Sequence, residues 1–299
     1  MSIRKTHGKM RKTGRGEMNM KEISCQRIAE AVEELCIRAA VWLPADVAMG
    51  LECAEEAESA GPGQAALHDI VENYHYAAEK GIPICQDTGM AVVFAEIGQE
   101  VHVTGGAFEE AIDLGVRNGY INGYLRKSVV RDPLRRENTD DNTPAVIHVR
   151  LVPGDILRLT VAPKGFGSEN MSRMKMFLPS CTREQIEDFI TETVRIAGAR
   201  PCPPVVVGVG LGGTVEKAAL LAKQALCRPI DTRNPDPYYA EMETVCLEKI
   251  NALGIGPQGF GGRTTALAVN VETYPTHIAG LPCVVNMGCH ATRHASCEL

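Results

Sequence analysis

The spacing of apolar residues predicts helices near the start of the chain. Between Met20 and about Lys80, apolar side chains recur every three or four residues, which is the period of an amphipathic helix. The stretch Gly61-Pro62-Gly63 interrupts this pattern, and Gly81 ends it. We therefore expect several helices that form an N-terminal scaffold.

Three later segments have the same helical period: residues 107–123, 182–198 and 240–254. The second begins at Thr182 with Gln185 three residues later, which is the spacing of a capping box. The third ends at a glycine, a common residue at a helix end. These segments predict three more helices.

Short runs rich in β-branched residues predict strands. Ala91–Ile97 has the composition of a buried strand. Val146–Leu151 and Ile156–Val161 alternate apolar and polar residues around a Pro-Gly-Asp turn, which predicts a β-hairpin. Residues 264–274 and 281–288 predict two more strands.

The stretch "ARPCPPVVVGVGLGGTVEKAALLAKQAL", residues 199–226, predicts a strand, a glycine turn and a helix. Helices and strands thus alternate after the N-terminal scaffold. The predicted fold class is mixed α/β (α+β), with an N-terminal helical scaffold followed by alternating strands and helices. We expect residues 20–299 to form one domain.

Charge and composition narrow the function classes. Residues 1–19 are rich in Lys, Arg and Gly without a hydrophobic period, so we expect a disordered basic arm. The 299-residue chain has 31 Lys and Arg against 37 Asp and Glu, which disfavours a nucleic-acid partner. No apolar run could cross a membrane, and the start lacks the apolar stretch of a secretion signal. The expected location is the cytoplasm.

The chain contains 11 cysteines, an odd number, and no C-x-x-C pair. A disulfide framework and metal knuckles with closely spaced ligands are therefore poor fits. Any bound metal must take its ligands from separate loops.

Three cysteines lie in loops suited to that task. Cys85 lies in the polar loop "PICQDTG", Cys202 lies among three prolines before a strand, and Cys289 follows a strand and has basic neighbours. Basic neighbours favour the thiolate, which is the form that binds metal. Three cysteines suit a 4Fe-4S cluster with one iron open to a substrate, although Cys85 alone would more commonly be a buried core thiol.

A different interpretation rests on Gly208, Gly210 and Gly213, which match the G-x-G-x-x-G pattern of dinucleotide-binding folds. Asp231 lies about 20 residues further on, where an acidic ribose partner would fall. This pattern would indicate a nucleotide-binding oxidoreductase. The same glycines could equally permit tight turning and close helix packing.

Five motifs together resemble the α subunits of class I, iron–sulfur-dependent fumarate hydratases. They are "CQDTG", "KGFGSENMSRMKMFLPS", "PCPPVVVGVGLGGT", "GIGPQGFGGRTTALAV" and "NMGCHATRH", and the likeness extends from about Met20 to the end. The L-tartrate dehydratase α subunits share some of these motifs. The resemblance implies a hydro-lyase that interconverts fumarate and (S)-malate, a step of the tricarboxylic acid cycle, with L-tartrate as the alternative substrate.

The resemblance also implies site residues. Cys85, Cys202 and Cys289 would hold the 4Fe-4S cluster, and Asp87 and His277 would be catalytic, although a turn cap and a buried imidazole are the ordinary roles of such residues. The dicarboxylate would be bound by the following residues: Gln86, Asp87, Arg126, Gly167, Asn170, Ser172, Arg173 and Lys175. Arg131 is an alternative to Arg126 because that segment aligns with relatives only with a gap.

The family also implies a partner. A separate β subunit would complete the pocket, and the expected assembly contains two α and two β subunits. A non-catalytic iron–sulfur or regulatory protein is a further alternative.

Overall fold

The computed structural model describes residues 20–299, so the predicted basic arm lies outside the described residues. The helices are α1 (Cys25–Val41), α2 (Ala45–Ala57), α3 (Pro62–Lys80), α4 (Phe108–Asn122), α5 (Phe166–Glu169), α6 (Arg183–Ala197), α7 (Val215–Ala225) and α8 (Pro237–Asn251). The strands are β1 (Lys21–Ser24), β2 (Met90–Gly98), β3 (Val101–Thr104), β4 (Val146–Val152), β5 (Leu157–Lys164), β6 (Arg173–Phe177), β7 (Val205–Gly212), β8 (Ala266–Tyr274), β9 (Leu281–Met287) and β10 (Ala295–Glu298). This arrangement confirms the predicted mixed α/β class.

The helix boundaries follow from local capping. Pro62 occupies the first turn of α3, where its missing N–H costs no hydrogen bond, and Gly81 ends that helix in the left-handed conformation. At α6, the Thr182 side chain accepts a hydrogen bond from the Gln185 amide, and the Gln185 side chain accepts one from the Thr182 amide. The predicted capping box is confirmed.

The first large sheet has the strand order β10-β5-β2-β4, and a separate pair joins β1 to β3. The predicted strands β4 and β5 are both present, but the predicted hairpin is wrong. β2 lies between them and pairs parallel with β4 and antiparallel with β5. The turn at Pro153–Asp155 therefore crosses over the end of β2, because the buried strand β2 takes the central position.

The second large sheet has the order β6-β9-β7-β8. β7 is buried along its whole length, and α7 packs directly against it. A Cβ atom on Gly208 would lie 2.2 Å from the Ala222 carbonyl oxygen, and one on Gly210 would lie 1.9 Å from the Ala218 carbonyl oxygen. Both glycines lie within the strand and allow close packing of α7. This is the packing role, not the role of a dinucleotide-binding turn.

The hydrophobic core consists of several clusters. One lies between the first sheet and helices α1 and α4, and another lies between the second sheet and helices α6 and α8. A third joins α2 and α3 to β7 and β8 through Val206 and Ala268. In the described part of the chain, none of the helices combines the length and the apolar character needed to cross a membrane.

Candidate functional site

The loops that carry Cys85, Cys202 and Cys289 meet at a cavity of about 170 Å³. Cys85 lies between α3 and β2, Cys202 lies just before β7, and Cys289 lies just after β9. β7 and β9 pair antiparallel, so the start of one and the end of the other lie at the same end of the sheet. The sheet register therefore brings two distant cysteines together.

The last loop of the chain ties the other two loops to it. Arg293 Nη2 donates a hydrogen bond to the Asp87 carbonyl at 2.6 Å, and the Arg293 side chain is buried. The backbone amide and the ring Nδ1 of His290 each lie 3.1 Å from the Cys202 carbonyl and donate to it. All three cysteine loops are thus joined by hydrogen bonds to residues 290–293.

Buried residues outside the cavity also hold the Cys85 loop in place. The buried Tyr120 hydroxyl donates to the carbonyls of Thr88 and Gly89, at 2.8 and 3.0 Å. Asn142, which is fully buried, donates from Nδ2 to the Gly89 carbonyl and accepts with Oδ1 from two backbone amides of residues 128–129. These bonds hold the polar stretch that follows Cys85 in one conformation.

The Asp87 carboxylate is occupied by backbone donors. One oxygen accepts from the Gly89 amide and the other from the Phe166 amide, both at 3.0 Å. The turn-cap role is therefore present in the structure. The same bonds place the carboxylate between the Cys85 loop and the first turn of α5, at the wall of the cavity.

The electrostatics of the thiols depend chiefly on burial. Burial raises the pKa of Cys202, and the neighbouring charges of Cys289 and Cys85 raise it further, so the three thiols are close enough to interact. Burial also raises the pKa of Cys289, while Arg293 and Lys164 act in the opposite direction. The expected effect of basic neighbours on Cys289 exists, but burial outweighs it.

The donor set fits an iron–sulfur cluster. All three cysteines are free, and none of them is fully buried. Within residues 20–299, no group of three or more His, Cys, Asp or Glu side chains is placed to hold a single metal ion. Three thiols around one cavity suit an iron–sulfur cluster with one open iron better than a structural zinc ion, which takes four protein ligands.

Two other cysteines differ from these three. Cys181 packs against the core between the second sheet and α6 and is absent from the cavity wall. Cys227 does line the cavity, but burial raises the pKa of its thiol to about 12, which disfavours the thiolate. Sequence reasoning missed Cys227, because it directly follows the amphipathic helix α7 and belongs to none of the motifs.

Comparison with known proteins shows the family to which the chain belongs. The profile of the fumarate hydratase (fumerase) family matches residues 29–298. The chain belongs to the fumarate hydratase family. It is 42% identical over 275 residues to the putative L(+)-tartrate dehydratase subunit alpha of Methanocaldococcus jannaschii, covering 90% of this chain and 96% of that protein. It is 30% identical over 279 residues to the L(+)-tartrate dehydratase subunit alpha of Escherichia coli O157:H7, covering 92% of each.

The expected fumarate hydratase site residues divide into two groups. Besides the cysteines, Gln86, Asp87 and Gly167 line the cavity. The others lie outside its wall: Arg126, Asn170, Ser172, Arg173, Lys175 and His277. The substrate role of all of these residues stays a prediction.

Three residues of the second group have structural partners in the chain. The Ser172 hydroxyl accepts from the Asn286 side chain and the Met287 amide, at 3.0 and 3.1 Å. The Arg173 guanidinium lies over the Phe189 ring and Lys175 Nζ lies 4.4 Å from the centre of the Phe177 ring. Asn170, by contrast, is exposed at the end of α5, next to the cavity.

Arg126 and Arg131 differ in position. The Thr88 hydroxyl donates to the Arg126 carbonyl at 3.1 Å, so Arg126 adjoins the loop that carries Asp87. Arg131 lies in a turn whose backbone pairs with Glu137. Both side chains are exposed. Of the two residues, Arg126 is the one that is hydrogen-bonded to the loop of Asp87.

His277 lies at the opposite end of the second sheet. It follows β8, whose last residue pairs with the last residue of β7, whereas the cavity lies before the first residue of β7. Eight residues of β7 separate the two ends, about 26 Å at the usual rise per residue. The His277 side chain is exposed, and its Nδ1 accepts from the Ala279 amide. The buried-imidazole interpretation is therefore wrong.

The fold adds cavity residues that sequence reasoning missed. Lys164, at the end of β5, and Lys223, in the last turn of α7, both line the wall. Burial lowers the pKa of Lys164 to about 8, against the opposing effect of Glu169. Lys164 is the first residue of the motif "KGFGSEN", and this position could have indicated a site residue. No sequence feature indicates Lys223, because a lysine in an amphipathic helix ordinarily faces solvent.

Proposed function

We propose that this chain is the α subunit of a 4Fe-4S hydro-lyase that interconverts fumarate plus water and (S)-malate. The observation that carries the proposal is the convergence of Cys85, Cys202 and Cys289 on one cavity that also contains Gln86 and Asp87. Membership of the fumarate hydratase family over residues 29–298 supports the reaction class.

In this proposal the three cysteines hold the cluster and leave one iron free of a protein thiolate. A bound cluster of this kind supplies a Lewis acid that polarises the carbon–oxygen bond of the hydroxyl group. The remaining tasks belong to protein side chains: to bind the two carboxylates and to move a proton at carbon.

Asp87 is the acid–base candidate that this chain itself places at the cavity. Its carboxylate is held by two backbone amides, so its position is fixed before substrate binds. His277 lies too far along β7 to reach the cavity of its own chain. It can act only at the cavity of a neighbouring chain in the assembly. An assembly of two α and two β subunits would allow such a contribution.

We also propose that a β subunit completes the pocket, since the relatives are named as alpha subunits. The described surface has a suitable apolar face. β6 is an edge strand of the second sheet, and its residues Met174 and Met176 are 52% and 53% exposed. Leu178, which follows on the same face, is 74% exposed. Exposed apolar side chains on a sheet edge next to the α5 turn suit a protein partner.

The second candidate substrate is L(+)-tartrate, and the names of the relatives favour it. L(+)-tartrate differs from (S)-malate by one additional hydroxyl group on the same four-carbon dicarboxylate skeleton. The choice depends on how the complete pocket treats that hydroxyl.

The test uses the chain purified without oxygen together with its β subunit. Iron and acid-labile sulfide are measured first, and the decay of fumarate absorbance and the formation of oxaloacetate from L(+)-tartrate are followed next. We expect iron, sulfide and turnover of one of the two substrates, with activity that decays in air and returns with iron and reductant. Protein that contains neither iron nor sulfide would exclude the proposal, and NAD binding by such protein would favour the oxidoreductase alternative.

A further inference from the structure

The ammonium group of Lys223 has unused hydrogen-bonding capacity at the cavity. Its Nζ donates to Glu169 Oε1, and within residues 20–299 it has no other hydrogen-bond partner. An ammonium group carries three N–H donors, so two of them remain free. The side chain is only 17% exposed, which limits the water available to satisfy them.

The carboxylate of Glu169 is fixed by its neighbours. Besides Lys223, its second oxygen accepts from Asn286 Nδ2 at 2.9 Å and lies 3.4 Å from Lys164 Nζ. Glu169 itself is not part of the cavity wall. It therefore lies behind the two lysines, where it can hold them in place without occupying the space that they enclose.

Lys164 differs from Lys223 in its bonding. Its ammonium group donates to the Gly165 carbonyl and the Ser168 hydroxyl, at 2.9 and 2.7 Å, and it also faces Glu169. All of its donors are thus engaged. Lys164 contributes charge to the cavity, whereas Lys223 also offers free donors.

Together Lys164, Lys223 and Glu169 carry one net positive charge, and the two lysine side chains are only 10% and 17% exposed. A poorly solvated charge is costly unless an opposite charge accompanies it. An anion with oxygen acceptors satisfies both the charge and the two free donors of Lys223, and hydrogen bonds between ammonium and carboxylate groups are among the stronger ones in proteins.

From this geometry we propose that Lys223 binds one carboxylate of the substrate and that Glu169 is its positioning residue. The inference rests on the proposed function, because it takes the cavity to be the substrate pocket. It differs from the expectation from sequence, in which other residues of the 164–177 segment bind the carboxylates.

The test compares Lys223→Met and Lys223→Arg in the anaerobic complex with the β subunit. Lys217→Met is the matched control, because Lys217 lies on the same helix and its Nζ contacts the Tyr274 ring at the far end of the sheet. The probe is succinate, a four-carbon dicarboxylate without a hydroxyl or a double bond, so that binding is measured by calorimetry without turnover. Iron content is measured on every variant.

We expect Lys223→Met to weaken succinate binding about 10- to 100-fold, as loss of hydrogen bonds to a charged group does. Lys223→Arg should restore part of the affinity, and Lys217→Met should match the unmodified protein. KM for the substrate should rise in parallel. Propionate, which has a single carboxylate, should lose less affinity than succinate on Lys223→Met. Glu169→Gln should weaken succinate binding less than Lys223→Met does, because the amide oxygen still accepts from Lys223.

Unchanged succinate affinity in Lys223→Met with full iron content would overturn the inference. Loss of iron in Lys223→Met and in Lys223→Arg would also overturn it, because it would mean that the lysine serves the cluster. If the unmodified complex binds succinate but converts neither fumarate nor L(+)-tartrate, the proposed function fails while the carboxylate site is still decided by the variants. If it converts fumarate or L(+)-tartrate but binds no succinate, the inference about Lys223 fails and the proposed function stands.

Discussion

Arg293 and Asp87 are 206 positions apart in the sequence, and Arg293 Nη2 donates to the Asp87 carbonyl at 2.6 Å. Arg293 Nη1 lies 3.3 Å from the Ala291 carbonyl, within its own loop. One buried guanidinium thus joins the loop of Cys289 to the loop of Cys85. The relative position of two of the candidate cluster ligands depends on this side chain.

The first prediction concerns this connection. Arg293→Met should lower the free energy of unfolding by about 2 kcal/mol, since a buried carbonyl loses a charged donor. It should also reduce the iron bound per chain, because the two thiols are no longer held together. Chemical denaturation and iron analysis measure the two effects. Arg195→Met is the control, because Arg195 pairs on the surface with Glu192. Iron content equal to that of the control would contradict the role of Arg293.

The second prediction separates ligands from other cysteines. Cys85→Ser, Cys202→Ser and Cys289→Ser should each abolish the brown colour and the activity, because a serine hydroxyl does not replace a thiolate on iron. Cys53, on the exposed side of α2, provides a control that should keep both. Absorption spectra of anaerobic protein give the measurement. Full colour in any of the first three variants would remove that residue from the ligand set.

Cys227 requires its own test, because it also lines the cavity. Its thiol pKa is raised to about 12 by burial, which disfavours the thiolate needed for a fourth ligand. Cys227→Ser should therefore keep its cluster and its sulfide content. A colourless Cys227→Ser protein that is folded by circular dichroism would instead indicate a four-cysteine cluster without an open iron.

The sequence predicts most helices and strands and the three cysteine loops, because each is determined by residues close together in the chain. The Thr182 capping box, the helix end at Gly81 and the β-branched run of β2 are all set by residues within a few positions. Strand order is different. Nothing within residues 146–161 reveals that β2 lies between β4 and β5, because that depends on which strand the rest of the chain buries.

The candidate site shows the same division. Motifs identified Cys85, Cys202 and Cys289, because cysteines framed by polar or proline-rich loops stand out in a sequence. Lys223 was missed because its position at the cavity follows from the packing of α7 on Gly208 and Gly210, a contact between separate elements. The motif resemblance predicts that His277 lies at the cavity. In the structure it lies at the other end of the second sheet, a separation that only the strand register reveals.

The fourth prediction tests whether Gly208 and Gly210 allow the close packing of α7 on β7. Gly210→Ala would place a methyl group 1.9 Å from the Ala218 carbonyl oxygen, so α7 must move away from β7. Overpacking of this kind costs about 1–3 kcal/mol in the free energy of unfolding, measured by denaturation. Gly280→Ala is the control, because a Cβ there meets no atom within 4 Å and the backbone φ is ordinary. Equal stability of the two variants would contradict the packing role.

The last prediction concerns pH and the segment that supports Gly89. Although partial burial of Asp141 acts in the opposite direction, hydrogen bonds from Thr143 and Arg117 lower the pKa of its carboxyl to about 2. An unfolded Asp has a pKa of about 3.9, so the folded chain holds the ionised form more strongly. The stabilisation from Asp141 is fully present above about pH 4 and is lost as pH falls towards 2.

Asp141→Asn should therefore lower the unfolding midpoint near pH 6, and the difference from the unmodified protein should shrink in acid. Asp155→Asn is the control, since the Asp155 side chain makes no hydrogen bond within residues 20–299. Thermal unfolding scans at several pH values give the measurement, and a pH-independent difference would contradict the linkage.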